Sequence, residues 1–306
     1  MNISIIIPTR NRSALLLRCL QSLLPQLQDG DEVILVDNGD SYQTKLIVST
    51  FLQQYPIIYI HERRKGSSYA RNTGFRKTKG EGIAFLDDDC IVSQQWLAEI
   101  RRLLEGAKKR NTISLFQGKI IYKFPSDSLR KSLFILQHQY DWTTIRKSKK
   151  WESSRALDLI NAGNFFTLRR IFHHTNYLFD SRTFPYIGEE RDLAYRLQLQ
   201  GVSIEYTPSV SVTHVSLPLP LRTYLLTWLQ YGRAHGILEK RYLAKREIRS
   251  LFSSGKERNV FKKTNSFTSM VIKHFHGKPL LQIRSLGLLY AREFLYSMAR
   301  LIYRYV

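Results

Sequence analysis

The chain has 306 residues, 43% of them hydrophobic and 24% charged, a globular composition that excludes a disordered chain. Its length suits one large α/β domain, or a domain of about 200 residues with a smaller appendage. Lys and Arg number 47 against 25 Asp and Glu, a formal charge of +22 that points to polyanionic company: nucleic acid, anionic lipid or phosphate-bearing substrates.

Residues 3–7, Ile-Ser-Ile-Ile-Ile, form a short β-branched run stopped by Pro8, the pattern of a strand buried on both faces. A helix capped at Asn11 or Ser13 follows, its apolar stripe running Leu15, Leu16, Leu20, Leu23 and Leu24 with Cys19 beside it. Val33 to Val36 reads as a second strand ending at Asp37, residues 43–54 as a helix, and residues 57–60 as a third strand. A helix over residues 67–77 leads to a fourth strand, residues 82–86, that ends in Asp87-Asp88-Asp89. A further helix is expected from near Ser93. Strands alternating with helices predict a parallel sheet with right-handed crossovers, whose ligands bind beyond the carboxyl ends of the strands. Pro8-Thr9-Arg10, Asp37 and Asp87-Asp88-Asp89 all fall there.

Residues 111–151 are less regular, with a strand-like 119–123 and then a basic, aromatic stretch through Tyr140, Trp142 and Lys149-Lys150. Order returns over residues 157–167, in a helix over 189–200, and in strand-like segments up to His214. Residues 221–246 and 281–303 are helical and rich in aromatics and Arg. Residues 217–306 hold 17 basic and 4 acidic residues, a balance of +13 that leaves +9 for the other 216. Two cysteines, Cys19 and Cys90, cannot build a disulfide framework, so a reducing compartment is expected. The apolar start runs into Pro8 too soon for a signal h-region. The longest uncharged run, residues 206–221, is broken by three prolines, so no spanning helix is expected.

Three adjacent carboxylates repel one another, and a fold that keeps them together normally supplies a cation; oxygen ligands suit Mg²⁺ or Mn²⁺ shared with substrate phosphates. A solvated turn capping the next helix is the plain alternative, and the preceding strand favours a site. The small-residue stretch Gly66-Ser67-Ser68-Tyr69-Ala70-Arg71-Asn72-Thr73-Gly74 permits close backbone approach at a helix start, with Arg71 able to meet a nucleotide; tight helix–sheet packing is the competing reading. The turn after the first strand is not a dinucleotide glycine fingerprint, which disfavours an oxidoreductase. Gly188-Glu189-Glu190-Arg191-Asp192-Leu193 puts three acids in a helix's first turn, as dipole partners or with one as a general base. His214 gains a role only if the fold brings it to the aspartates.

Five segments occur in one order: residues 3–12, Val36-Asp37-Asn38-Gly39-Asp40, Gly66 to Gly74, Phe85-Leu86-Asp87-Asp88-Asp89, and Gly188 to Leu193. In order and spacing they resemble the family 2 glycosyltransferases over residues 3–214. That resemblance implies an α/β GT-A fold, a Rossmann-like three-layer sandwich of the nucleotide-diphospho-sugar transferases, over residues 1–216. A basic helical C-terminal extension would occupy residues 217–306. It further implies an inverting, metal-dependent hexosyltransferase-type enzyme that moves a sugar from a nucleotide-diphosphate donor to a hydroxyl of a lipid-linked or cell-surface glycan. Carried over by motif position, Pro8, Thr9, Arg10, Asp37, Arg71, Asp87 and Asp88 would hold the donor. Asp89 would ligate a divalent metal (Mg²⁺ or Mn²⁺), with His214 as the weaker second ligand. Glu190 would be the base, with Glu189 beside it, where the family usually has Glu-Asp. Gly163-Asn164 resembles the segment lining the acceptor side.

A nucleic-acid-binding protein on a degenerate transferase-like fold is the competing class. A polyanion-binding face has no use for these acids beside its basic residues, so specific nucleic-acid binding is not expected. The C-terminal region is expected to dock on an anionic membrane at its cytoplasmic face, peripherally. Its first stripe would be Leu221, Leu225, Trp228 and Leu229, with Arg222, Arg233, Lys240, Arg241, Lys245 and Arg246 alongside. Leu286, Leu289, Phe294, Met298 and Leu301, with Arg284, Arg292, Arg300 and Arg304, are spread too widely for a clean two-faced helix, and for this stretch alone core packing, in part on the catalytic domain, is the favoured reading.

Overall fold

A computed structural model describes residues 1–123, 160–172, 178–215, 220–242, 245 and 279–305. The chain divides into two compact units, one of Met1–Lys123 with Ser154–Ser216, the other of Phe124–Ser153 with Leu217–Val306.

In the first unit the strands are β1 (Ile3–Thr9), β2 (Glu32–Asp37), β3 (Ile57–His61), β4 (Gly82–Leu86), β5 (Cys90–Val92), β6 (Ser114–Lys123), β7 (Asn164–Leu168) and β8 (Ser203–Val215). They form one sheet in the order β3-β2-β1-β4-β7-β6-β8-β5. Its helices are α1 (Ser13–Leu23), α2 (Tyr42–Leu52), α3 (Ser67–Phe75), α4 (Trp96–Lys109) and α5 (Glu189–Leu199).

Alternation along β1 builds two cores at once. Ile3, Ile5 and Ile7 join Leu16, Leu20, Trp96, Ile100 and Leu104 on one face. Ile6 joins Ile34, Val36, Ala70, Phe85, Phe165, Leu193 and Leu197 on the other. The sheet is thus the middle of three layers, with α1, α2 and α4 on one side and α3 and α5 on the other. A Cβ on Gly74 would sit 2.7 Å from Ile6 Cγ2 and 3.1 Å from Val36 Cγ2, so the missing side chain is what lets α3 lie directly on β1 and β2.

Two expectations need correction. The sheet is mixed: β3 to β4 run parallel, as do β6 and β8, but β7 runs antiparallel to β4 and β6, and β5 antiparallel to β8. A hydrophobic run buried on both faces looks the same in either direction, so the apolar pattern does not report the reversal. The helix after the aspartates starts at Trp96, not near Ser93, because Cys90–Val92 pairs with β8 first. Strand-like 119–123 is the end of the longer β6, while Tyr140, Trp142 and Lys149-Lys150 lie outside the described residues.

Asn164, the first residue of β7, is fully buried, and its side chain serves the sheet itself. Its Oδ1 accepts from Trp96 Nε1 at 2.9 Å, and its Nδ2 donates to Lys119 O at 3.0 Å and Val210 O at 3.1 Å. These carbonyls flank the irregularity at Gly118/Lys119, where the β6–β8 register shifts. The amide therefore satisfies polar groups that a regular ladder would have paired. Asn164→Ala is expected to lower unfolding free energy in urea by ~1–3 kcal/mol, the cost of leaving such groups unmet, with donor KM unchanged in the folded fraction.

In the second unit the described elements are α6 (Leu221–Tyr242) and α7 (Pro279–Tyr305). Arg292 lies over the Trp228 ring at 4.5 Å, and Glu239 pairs with Arg300 and, at 3.7 Å, with Arg304. A Cβ on Gly232 or Gly236 would strike the carbonyls of Tyr296 or Arg300. The pairs ascend together in number, so the helices run parallel, and close.

Candidate functional site

The ends of β1, β2 and β4, the start of α3, the turn into α5 and the end of β8 supply the acids and cations that the sequence singles out. β4 hands over to Asp87-Asp88-Asp89, a turn closed by Cys90 N donating to Asp87 O at 3.1 Å. Two arginines share the three carboxylates, Arg71 on Asp87 and Arg12 on both Asp88 and Asp89. Arg71 Nη2 donates to Asp87 Oδ1 at 2.8 Å. Thr9 Oγ1 donates to Asp88 Oδ2 at 2.7 Å, and Arg12 Nη2 lies 2.5 Å from Asp88 Oδ1. Arg12 Nη1 donates to Asp89 Oδ2 at 2.5 Å, while His214 Nε2 lies 3.2 Å from Asp89 Oδ1. His214 arrives because β5 and β8 pair Cys90 opposite it, and Val215 N ties to Asp89 O at 2.8 Å.

Arg71 is the link between the two acid groups. It is 4% exposed, and its Nη1 donates to Glu189 Oε1 at 3.0 Å while Nη2 holds Asp87. Gly188, at φ +97° in the left-handed region, forms the turn that starts α5 and presents Glu189 and Glu190 in its first turn. Glu190 Oε1 accepts from Ala162 N at 2.7 Å. Beside it, a Cβ on Gly163 would lie 3.2 Å from Asp87 Oδ2, so a side chain there would press on the aspartate.

The environments split these acids. Burial pushes Asp88 up to about 7, against the pull of Arg12. Burial, then the neighbouring Glu190, pushes Glu189 up to about 8, and its Oε2 has no hydrogen-bond partner among the described residues. Burial also raises Glu190, with Arg71 opposing. Asp87 is half-buried, and although desolvation opposes it, Arg71 holds it below the ordinary carboxylate range.

Asp37 lies at the end of β2, buried; Tyr59 Oη donates to its Oδ2 at 2.8 Å and Gly39 N to its Oδ1 at 2.9 Å. Pro8 is buried beside it in β1, whereas Arg10 is exposed and donates to Tyr186 Oη at 3.2 Å. Next to this corner, Glu62 binds Arg64 Nη2 at 2.7 Å and Thr73 Oγ1 at 2.5 Å.

Donor atoms of Asp89, Cys90 and His214 lie within 4.8 Å of one another. Burial and then Asp89 push the Cys90 thiol well up, which leaves a carboxylate oxygen and an imidazole nitrogen as the ready ligands. An O/N pair beside Asp88 suits Mn²⁺ or Mg²⁺ completed by substrate phosphate oxygens, so the residues fit such an ion.

Sequence reasoning left Arg12 and Tyr59 without roles. Arg12 was within reach of it: three adjacent carboxylates call for a cation, and Arg12 follows the neighbouring strand end. Tyr59 carries no signal, being one aromatic in an apolar strand.

This arrangement, acids at the ends of central strands of a mixed α/β sandwich, is that of a GT-A glycosyltransferase. The family described as glycosyl transferase family 2 matches residues 4–174, and the chain belongs to that family. It is 34% identical over 128 residues to glycosyltransferase AglE of Haloferax volcanii, which spans 40% of this chain and 41% of that protein. It is 35% identical over 126 residues to an uncharacterized glycosyltransferase EpsJ of Bacillus subtilis, 41% of this chain and 35% of that one. The matches thus span well under two thirds of these relatives. Among solved structures, a mannosyltransferase from Pyrobaculum calidifontis in complex with GDP-Man and Mn²⁺ superposes with TM-score 0.55 at 15% identity, covering 98% of this chain and 73% of that one. Residues 1–349 of TarS from S. aureus superpose with TM-score 0.53 at 16% identity, covering all of this chain and 92% of that one.

Glu62 supplies a pH prediction for the corner beside Asp37. Hydrogen bonds from Arg64, partly opposed by burial, hold its carboxyl down at about 2, below its unfolded value. A depressed acid stabilises the fold above its unfolded pKa and loses that contribution as pH falls through the folded one. The Tm advantage of the wild type over Glu62→Gln is therefore expected near neutrality, shrinking between about pH 4.5 and 2 in a thermal-melt series.

Proposed function

We propose that this glycosyltransferase is an inverting, metal-dependent enzyme that moves a hexosyl unit from a nucleotide-diphosphate donor to a hydroxyl of a lipid-linked or cell-surface glycan. The observation that carries this reading is Arg71, whose guanidinium joins Asp87 at the end of β4 to Glu189 at the start of α5. Donor-side and acceptor-side carboxylates are thereby gathered about one buried cation.

In this reading Asp37, Thr9 and Pro8 flank the base and ribose, Asp87 meets the ribose, and Asp89 with His214 holds the metal. A metal there would offset charge on the departing diphosphate. Arg12, 40% exposed beside Asp88 and Asp89, is the cation open enough to meet a diphosphate held at those acids. Arg71 is buried among acids and acts as a positioning residue, not as a base contact.

Glu190 is the base. Glu189 is buried and committed to Arg71, whereas Glu190 is half-exposed and held only through one oxygen by Ala162 N. Its raised pKa lets it accept a proton from the acceptor hydroxyl as the bond to the anomeric carbon forms on the face opposite the leaving diphosphate. The GDP-Man and Mn²⁺ bound to the Pyrobaculum calidifontis neighbour support this donor class. We further place the enzyme on the cytoplasmic face of a membrane, docked peripherally on anionic lipid through its basic C-terminal unit.

The reading is tested on a panel of UDP-, GDP- and dTDP-sugars with Mn²⁺ or Mg²⁺. Metal-dependent nucleoside diphosphate release from one of them is expected; inactivity on all, with tight salt-sensitive RNA binding, would favour the nucleic-acid class instead. Asp89→Asn is expected to keep the fold while Mn²⁺ affinity, measured by calorimetry, drops about tenfold or more. Glu190→Gln is expected to cut kcat by about 10²–10⁴ with little change in donor binding and to remove the acidic limb of the pH profile. If Glu189→Gln proves the more damaging to kcat, the base is Glu189.

A further inference from the structure

Helix α7 is built with its charges turned in and its apolar side chains turned out. Over residues 287–305, Arg292 is 3% exposed beneath Trp228, and Arg300 and Arg304 turn to Glu239 on α6. The outward row is Tyr290, Phe294, Met298, Leu301 and Tyr305, exposed by 52%, 68%, 39%, 60% and 71%. Their spacing of three or four residues puts them on one face, about 22 Å long at 1.5 Å per residue. A helix that faces water has the opposite arrangement.

This corrects the placement expected from the sequence. On α6, Tyr224 and Trp228 are buried, and Leu225 and Leu229 are half-buried. Trp228 meets Tyr296 edge-on and lies against Arg292, so α6 spends much of its stripe on α7. Gly232 and Gly236 deepen that contact. What α6 leaves exposed includes Arg222 and Arg233.

We propose that the Tyr290–Phe294–Met298–Leu301–Tyr305 face of α7 lies in the interfacial layer of an anionic lipid leaflet, with the exposed arginines of α6 on its headgroups. This deepens the membrane reading given above and rests on it. Charge selects the occupant. A second copy would bring another stretch 217–306 of balance +13 against the first, whereas anionic headgroups compensate it. Among the described residues no helix is long and apolar enough to cross a membrane, so α7 lies in the plane. Tyrosines at both ends of the row suit a boundary that is apolar on one side and wet on the other.

The test uses the full chain with phosphatidylglycerol-rich and pure phosphatidylcholine vesicles. Wild type is expected to co-sediment with the former, and Phe294→Glu/Leu301→Glu to partition at least about tenfold more weakly. Arg222→Glu/Arg233→Glu is expected to lose the preference for anionic lipid. Phe294→Cys labelled with an environment-sensitive dye reads insertion independently, because Cys19 and Cys90 are buried; its emission should shift blue on anionic vesicles only. Unchanged partition of the Phe294→Glu/Leu301→Glu protein, or no blue shift, would overturn the proposal. So would a solution mass that halves in that variant, which would make the occupant a second copy. Wild-type binding that is unaffected by the α7 changes but lost with Arg222→Glu/Arg233→Glu would keep membrane docking and discard this face. Nucleoside diphosphate release without vesicles, measured on the same samples, reports the transfer reading separately.

Discussion

The first unit is organised around one buried cation. A guanidinium removed from water is costly unless its partners are close and charged, and removing one partner leaves the rest exposed to that cost. Arg71 meets the condition with Asp87 on one side and Glu189 on the other, which raises its pKa further despite burial. To bring it there α3 must lie hard on β1 and β2, which the bare Cα of Gly74 allows. The position of α5 then follows from the sheet, since the helix start must reach the same side chain. A strand end and a helix start far apart in sequence are thereby held together by ionic geometry.

The second cation, Arg12, works differently. It rests on Asp88 and Asp89 with its side chain 40% exposed, against 5% for Arg71. The contrast divides the site into a part tied by the buried Arg71, with Asp87 and Glu189, and a part tied by the more open Arg12, with Asp88, Asp89 and His214. Burial pushes Asp88 and Glu189 up in the same way, although one follows β4 and the other opens α5. Of the two glutamates that open α5, Glu190 is the half-exposed one.

Much of this was legible from local pattern. β1 to β4 declare themselves as apolar runs closed by Pro8, Asp37 and Asp87, and the motif order carried Asp89, His214 and Glu190 to one place. What stayed hidden depends on long-range pairing. β7 runs antiparallel, which a both-faces-buried strand does not reveal. Asn164 follows a glycine like a surface turn residue, yet serves the carbonyls beside a register shift in β6. Arg71 looked like a nucleotide ligand because its charge was visible and its two partners, 16 and 118 residues away, were not. The inward turn of Arg292, Arg300 and Arg304 on α7 depends on Trp228 and Glu239 of α6, which the pattern of α7 alone does not show.

The central claim is that Glu190 and the diphosphate-binding acids act on opposite faces of the donor's anomeric carbon. It is tested most directly by the configuration of the new linkage, read from the anomeric proton coupling in the product's NMR spectrum with a donor of known configuration. The account predicts inversion, as a single displacement assisted by one carboxylate requires. A product that retains the donor's configuration would contradict it.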